Sequence, residues 1–185
     1  MSLVESNMLP LGTIAPNFHL KDTVSGNYYS LSDLKSDRAT VVMFICNHCP
    51  FVIHVNSELV KMANEYKNNG VSFIAISSND VETHPDDDPD KMRLVAKVLK
   101  YPFPYLYDKT QEIAKAYDAA CTPDFYVFGG DMRLTYRGRL DSSRPGNDLE
   151  LNGEDLRAAV DATIAGRSIE NQIPSAGCNI KWKPL

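Results

Sequence analysis

Apolar residues along the chain follow two patterns, short continuous runs and helical spacing. Two runs rich in β-branched residues, at positions 39–45 and 71–76, predict buried strands. Between them, apolar residues recur every three or four positions and so define one face of a helix: Val52, Val55, Leu59, Met62 and Tyr66. Because a strand, a helix and a strand follow one another directly, the pattern predicts a right-handed parallel crossover unit.

Several shorter elements are predicted around this unit. Two small strands, at 18–20 and 28–31, should form an N-terminal hairpin that turns at Gly26. The others are a helix from Asp88-Pro89 to about Lys100, an edge strand at 103–107, a helix from Asp108 to Tyr117 with Gln111 completing a capping box, a hairpin of 125–128 and 133–139, and a helix at 154–165. The acidic loop at 78–87 is expected to be solvated, and residues 167–185 show no helical or strand period.

These elements predict one α/β domain at residues 12–166, with an N-terminal extension (1–11) and a C-terminal tail (167–185). A hydrophobic content of 43% in 185 residues can bury a core, which excludes a disordered or fibrous chain. The net charge of −5 argues against nucleic acid or an anionic membrane as a partner. We expect a cytoplasmic protein, because no apolar run is long enough to span a membrane and the N-terminus does not resemble a signal peptide.

A pair of cysteines, Cys46 and Cys49, lies where the first buried strand ends and the helix begins. The unpaired N–H groups of the first helical turn favour a negative charge there, and His48 can add a hydrogen bond or a positive charge. The pattern therefore predicts that the pKa of Cys46 is lowered and that of Cys49 is not. A thiol of low pKa is both a nucleophile and a good leaving group in thiol–disulfide exchange.

A zinc site is the alternative chemistry of a Cys-x-x-Cys pair. Four thiolates are available, since the chain also contains Cys121 and Cys178. Zinc sites of this kind usually have two close pairs, whereas these two cysteines are single and far apart. We therefore expect no bound metal, and no other cofactor is indicated.

The cysteine pair between a strand and a helix resembles that of the thioredoxin superfamily. Thr122-Pro123, ahead of the predicted strand at 125–128, is similar to the cis-proline site that faces the cysteine pair in that fold. The opening GTIAPNFHL at 12–20 and LSDL at 31–34 resembles the start of peroxiredoxins of the AhpC/TSA group, and the ending CNIKWK at 178–183 is similar to a peroxiredoxin-like branch that keeps Cys-x-x-Cys. The resemblance implies a three-layer thioredoxin fold with a central mixed sheet, an N-terminal hairpin and a C-terminal tail. It also implies that Thr122 offers a docking edge for an extended substrate.

The chain departs from the peroxiredoxin pattern at the residues that handle peroxide. With Cys49 aligned to the peroxidatic cysteine, the usual Thr and Pro positions hold Cys46 and Val42, and the Arg falls near Pro123. Dithiol exchange needs none of these three residues. We therefore favour a thiol–disulfide oxidoreductase in which Cys46 attacks and Cys49 resolves. A thiol peroxidase with an antioxidant role and a redox-inactive or zinc-holding binding module are the alternatives.

Four further residues are candidates for supporting roles. Cys121 and Cys178 are either buried, unreactive cysteines or accessory redox thiols. Asp141 and Arg144 lie on a loop that should approach the cysteine pair, where they either contact substrate or are surface charges. The expected partners are a protein or low-molecular-weight disulfide and an unidentified thiol reductant, and the oligomeric state is left open.

Overall fold

The computed structural model describes residues 2–185 and contains two β-sheets and five helices in that range. The strands are β1 (Leu3–Glu5), β2 (His19–Asp22), β3 (Tyr28–Ser30), β4 (Ala39–Phe44), β5 (Val71–Ser77), β6 (Tyr105–Tyr107), β7 (Cys121–Thr122), β8 (Asp124–Gly129), β9 (Leu134–Gly138) and β10 (Ala176–Asn179). The helices are α1 (Leu31–Leu34), α2 (Pro50–Lys67), α3 (Pro89–Val98), α4 (Glu112–Ala116) and α5 (Glu154–Ile164), and a 3-10 turn spans Pro85–Asp87. None of the helices within these residues is long and apolar enough to cross a membrane.

A seven-stranded mixed sheet in the order β3-β2-β6-β5-β4-β8-β9 forms the middle layer. The predicted crossover unit is confirmed, since β4 and β5 pair in parallel and α2 connects them. One face of the sheet packs against α2, α3 and α5, and the other against α4 and the N-terminal segment. Every residue of β4 is buried, which explains its unbroken apolar run. The predicted three-layer thioredoxin fold is therefore confirmed.

A second, three-stranded sheet joins the two ends of the chain in the order β1-β10-β7. The tail thus contains a strand, although its sequence showed no strand period. The strand is short and includes Gly177, so it lacks the alternation that would reveal it. Its pairing partners lie far away in sequence, which is why local pattern did not detect it.

Two sequence-based predictions about the middle of the chain are wrong. The strand β6 is not an edge strand, because β5 pairs with it in parallel and β2 pairs with it on the other side. The helix α4 begins at Glu112 and not at Asp108. Gln111 has a left-handed backbone and makes no capping box, and its side-chain amide donates instead to two carbonyl oxygens, one of Ser78 and one of Lys181.

A buried ion pair braces the strand that follows Thr122-Pro123. The Arg137 guanidinium, fully buried on β9, donates to the Asp124 carboxylate at 2.9 Å and to the Asp118 carbonyl oxygen at 2.7 Å. The same guanidinium lies 4.5 Å from the ring centroid of Tyr126. Burial raises the pKa of Asp124 to about 6, although the charge of Arg137 opposes that shift. This pair fixes the start of β8 directly beside the cysteine pair.

Candidate active site

The cysteine pair occupies the junction of β4 and α2, as predicted. Cys49 is the N-cap residue of α2 and Pro50 is its first helical residue. Both cysteines are buried, with Cys46 2% exposed and Cys49 fully enclosed. The two sulfurs are hydrogen-bonded to each other. None of the four cysteines, all of which the structure describes, forms a disulfide.

The segment before β8 lies directly against this pair. The Thr122–Pro123 peptide bond is cis, which confirms the prediction. The Thr122 hydroxyl oxygen lies 3.5 Å from Cys46 Sγ, and the Thr122 carbonyl oxygen lies 3.5 Å from Cys49 Sγ. Thr122 therefore contacts both sulfurs, one through its side chain and one through its backbone.

Asp87 holds the loop between the two cysteines, and sequence analysis missed it. Its side chain is fully buried, and Ser78, Asn79 and Asp80 of the same loop are also buried, so the expectation that the acidic loop is solvated is wrong at these residues. The carboxylate accepts hydrogen bonds from the backbone N–H groups of Asn47 at 2.8 Å and His48 at 3.3 Å, and from the Asn79 amide at 2.8 Å. Its second oxygen lies 2.6 Å from His48 Nδ1. A residue of the β5–α3 connection thus fixes the backbone and the imidazole of the Cys-x-x-Cys loop.

The predicted distribution of acidity between the two cysteines is wrong. The Cys46–Cys49 hydrogen bond, then burial, then the charge of Asp87 raise the pKa of Cys46 well above its usual range. The hydrogen bond from the Cys46 thiol is the main cause that lowers the pKa of Cys49 to about 5. The N–H groups of Asn47 and His48, which precede the helix, donate to Asp87 and not to Cys46. In the first turn of α2, the N–H of Val52 donates to Cys49.

We therefore expect the reduced protein to carry a thiolate on Cys49 at neutral pH. The ultraviolet absorbance of that thiolate should disappear as the pH is lowered through about 5, because the folded-state pKa lies there. Cys49→Ser should remove this transition, and Cys121→Ser should leave it unchanged. Persistence of the transition in Cys49→Ser would assign the acidic thiol to another cysteine.

Cys46, His48 and Asp87 form a cluster that must be tested as a metal site. One ligand atom of each lies within 4.8 Å of the others. Zinc bonds of about 2.0–2.1 Å in tetrahedral geometry would place two ligand atoms about 3.3 Å apart. His48 Nδ1 and the Asp87 oxygen are 2.6 Å apart, which is too close for two ligands of one zinc ion. The His48 and Asp87 side chains are thus paired directly with each other.

The two accessory cysteines lie near the pair but differ in what they contact. Cys178, on β10, lies opposite Thr122 and hydrogen bonds with Cys49. Burial raises the pKa of Cys178 to about 12. Cys121 Sγ lies 3.9 Å from the carbonyl oxygen of Pro123, and burial raises the pKa of Cys121 strongly. The β10 strand also pairs with Thr122, so the backbone edge that was expected to dock an extended substrate is covered by the tail.

The loop after β9 lines a cavity of about 330 Å³ beside this site. Its walls include Pro123, Arg144 and two residues of α2, Phe51 and His54. Arg144 is exposed, whereas Asp141 is buried and accepts hydrogen bonds from three backbone N–H groups of its own loop. The loop approaches the active-site end of α2 as predicted, but the role of Asp141 is to brace the loop.

His54, on α2, contacts the loop after β9. The residue is half-buried, and its Nε2 atom lies 3.1 Å from the Ser143 hydroxyl oxygen. This contact ties α2 to the loop after β9. The cavity wall is therefore held by a hydrogen bond between the two elements that form it.

Solved structures with the same fold fall into two groups. An uncharacterized conserved protein from Geobacillus kaustophilus is 61% identical, with a TM-score of 0.98 over 100% of this chain and 98% of the other. A hypothetical protein from Sinorhizobium meliloti is 44% identical, with a TM-score of 0.94 over 97% and 98% of the two chains. The thioredoxin domain of a thiol-disulfide oxidoreductase from Bacteroides vulgatus is 19% identical, with a TM-score of 0.62 over 82% and 99%, and shows the shared fold alone.

The comparison with curated proteins found none that matches. The sequence model of the AhpC/TSA family matches residues 11–137, which is more than half of the chain. This range includes the N-terminal hairpin, the cysteine pair, the buried Asp87 and the cis-proline segment. The chain therefore belongs to the AhpC/TSA family.

Proposed function

We propose that the protein is a thiol–disulfide oxidoreductase that uses the Cys46/Cys49 dithiol. Membership of the AhpC/TSA family points to thiol redox chemistry of the oxidoreductase or peroxidase type. The observation that carries the narrower proposal is the pair of hydrogen-bonded sulfurs at the start of α2, both in contact with Thr122. A thiol and a thiolate that share one proton provide the attacking group and the resolving group of a dithiol exchange.

Exchange begins when Cys46 Sγ attacks one sulfur of a substrate disulfide. The substrate S–S bond breaks, one substrate thiolate leaves, and Cys46 becomes part of a mixed disulfide. The proton of Cys46 passes along the existing hydrogen bond to Cys49. The protonated Cys49 can then donate to the Thr122 carbonyl oxygen, which lies 3.5 Å away.

Resolution reverses that proton transfer. Cys49 loses its proton to the departed thiolate or to water, and its thiolate attacks Cys46 Sγ. The mixed disulfide breaks, the second substrate thiolate leaves, and a Cys46–Cys49 disulfide forms. The substrate gains two electrons and the dithiol loses two, so a thiol reductant must restore the dithiol by the reverse exchange.

His48 and Asp87 act as positioning residues in this proposal. Because the Asp87 carboxylate lies 2.6 Å from His48 Nδ1, it orients the imidazole and leaves Nε2 for exchange of a proton with a departing thiolate. The Asp87 hydrogen bonds to the loop backbone hold Cys46 in the geometry that the attack requires. The substrate would be a protein or a low-molecular-weight disulfide in the cytoplasm.

A thiol peroxidase is the second candidate, and one contact favours it. The Thr122 hydroxyl lies 3.5 Å from Cys46 Sγ and can donate to a reacting peroxide oxygen. However, Cys46 and Val42 occupy two of the positions that hold the peroxide-handling Thr and Pro in peroxiredoxins, and Pro123 falls near the third. The exchange chemistry depends on none of these residues, so we place the oxidoreductase first.

Trapping of the mixed disulfide tests the proposal. Cys49→Ser should accumulate a glutathione adduct on Cys46 after treatment with oxidised glutathione, because the resolving thiol is missing. Intact-protein mass spectrometry measures the adduct, and a digest locates it. Cys46→Ser is the matched control and should collect little adduct, since Cys49 is fully enclosed. An adduct of equal yield in both variants, or in neither, contradicts the assigned roles.

A further inference from the structure

The tail strand β10 places Cys178 at the centre of the active site. In the antiparallel pairing of β10 with β7, Cys178 lies directly opposite Thr122, the residue that contacts both active-site sulfurs. An exposed strand edge is where an extended peptide would add to a protein. Here the chain's own tail occupies that edge and presents a thiol to Cys49.

Close packing fixes this strand in place. A Cβ atom on Gly177 would lie 2.0 Å from the Thr122 carbonyl oxygen, so only glycine permits the approach of the two backbones. The backbone on either side is also held, since Ile180 N–H donates to the Ala120 carbonyl oxygen at 3.0 Å and Ser175 Oγ to the Gly138 carbonyl oxygen at 2.7 Å. Cys178 is 3% exposed. Its thiol is therefore positioned for contact with Cys49 and shielded from solvent.

We propose that Cys178 is a third redox thiol, which moves the active-site disulfide from Cys46–Cys49 to Cys49–Cys178. This relay extends the proposed function and rests on it, because the Cys46–Cys49 disulfide must form first. Cys178 loses its proton and attacks Cys49 Sγ, the Cys49–Cys178 bond forms, and the Cys46–Cys49 bond breaks. Cys46 leaves as a thiolate and takes up the proton that Cys178 released, so the exchange involves no net oxidation. Cys46 is then ready to attack again.

The surroundings of Cys178 favour this step once Cys49 has been oxidised. In the reduced protein, the negative charge on Cys49 is one of the causes that raise the pKa of Cys178. A disulfide carries no charge, so that contribution disappears when Cys49 joins the first disulfide. The Phe51 N–H and Lys181 lower the pKa of Cys178 in both states. The third thiol thus becomes more acidic at the point where it has a disulfide to attack.

Peptide mapping after oxidation tests the proposal. Cleavage after Lys and Arg leaves Cys46 and Cys49 in one peptide, 39–61, and Cys178 in another, 168–181. The reduced protein, treated with oxidised glutathione and digested without reduction, should yield a cross-link between these peptides, located by fragmentation at Cys49. Cys178→Ser should lose the cross-link and keep the internal bond in 39–61. Cys121→Ser, which removes a neighbouring buried thiol, should retain the cross-link.

The possible failures are distinct. An internal bond in 39–61 without any cross-link overturns the relay and leaves the proposed function intact. A cross-link that joins Cys46 to Cys178 also overturns the relay. Absence of both bonds overturns the proposed function and the relay with it.

Discussion

Reduced protein is expected to react with a small disulfide at least about a hundred times faster than with hydrogen peroxide. Attack on a disulfide releases a thiolate, which is a stable leaving group. Attack on peroxide must stabilise a departing hydroxide, and loss of one such stabilising contact typically costs about 10²–10³ in rate. Cys46 and Pro123 stand at or near two positions where peroxiredoxins place the Thr and Arg that make these contacts. Stopped-flow measurement of thiol loss with each oxidant gives the comparison.

Two variants control this experiment. Cys46→Ser should abolish the fast phase with the disulfide, whereas Cys121→Ser should preserve it. Thr122→Val removes the hydroxyl that lies 3.5 Å from Cys46 Sγ, and it should slow any peroxide reaction more than the disulfide reaction. Rapid thiol loss with peroxide together with slow exchange would reverse the order of the two candidate functions. Equal rates in Cys46→Ser and the unmodified chain would place the reaction on a thiol other than Cys46.

The parts of the fold that local pattern can encode were predictable from the sequence. The run at β4 is apolar throughout because both faces of the sheet are covered there, and the spacing of α2 follows from a single buried face. The contact between Cys46 and Thr122 was predicted only from the resemblance to the thioredoxin fold. No periodicity in the chain brings residues 76 positions apart into contact.

The parts that depend on long-range pairing were not predictable in this way. Asp87 stands in a run of aspartates, and nothing in the sequence marks it as the buried member. Asp86, its neighbour, has a side chain that is 75% exposed and pairs with Lys91 at 3.0 Å. The direction of the thiol pKa shifts depended first on the hydrogen bond between Cys46 and Cys49, and then on burial and on the charge of Asp87, which comes from a separate connection.

The strand β10 also depends on long-range pairing and could not be predicted from local sequence. Four residues without alternation carry no strand signal of their own, and β10 exists because β1 and β7 lie on either side of it. The position of Cys178 against Cys49 therefore follows from the register of this pairing. A tail that was expected to be irregular instead completes the active site.

Replacement of Asp87 by Ala is expected to destabilise the reduced protein by several kcal/mol. The buried carboxylate accepts hydrogen bonds from two backbone N–H groups and one amide, and it lies 2.6 Å from the His48 imidazole. Each buried donor that loses its acceptor costs about 1–3 kcal/mol. Asp86→Ala is the matched control, because it removes only an ion pair with Lys91 that is exposed to solvent and contributes little to stability. Urea unfolding of the two variants measures the difference, and losses of equal size would contradict the bracing role of Asp87.

Asp87→Asn separates the effect of the negative charge of this residue from the effect of its hydrogen bonds. The amide keeps one acceptor oxygen for the loop N–H groups and removes the negative charge that helps to raise the pKa of Cys46. The pKa of Cys46 should therefore fall in this variant, while that of Cys49, whose main determinant is the Cys46 thiol, should change less. The ultraviolet absorbance of thiolate, followed against pH, measures Cys46 alone when Asp87→Asn is combined with serine at Cys49, Cys121 and Cys178. The reference is the same triple serine variant without the Asp87 change. A Cys46 titration that is identical in the two proteins would show that the charge of Asp87 does not reach the thiol, and its role would then be confined to holding the loop.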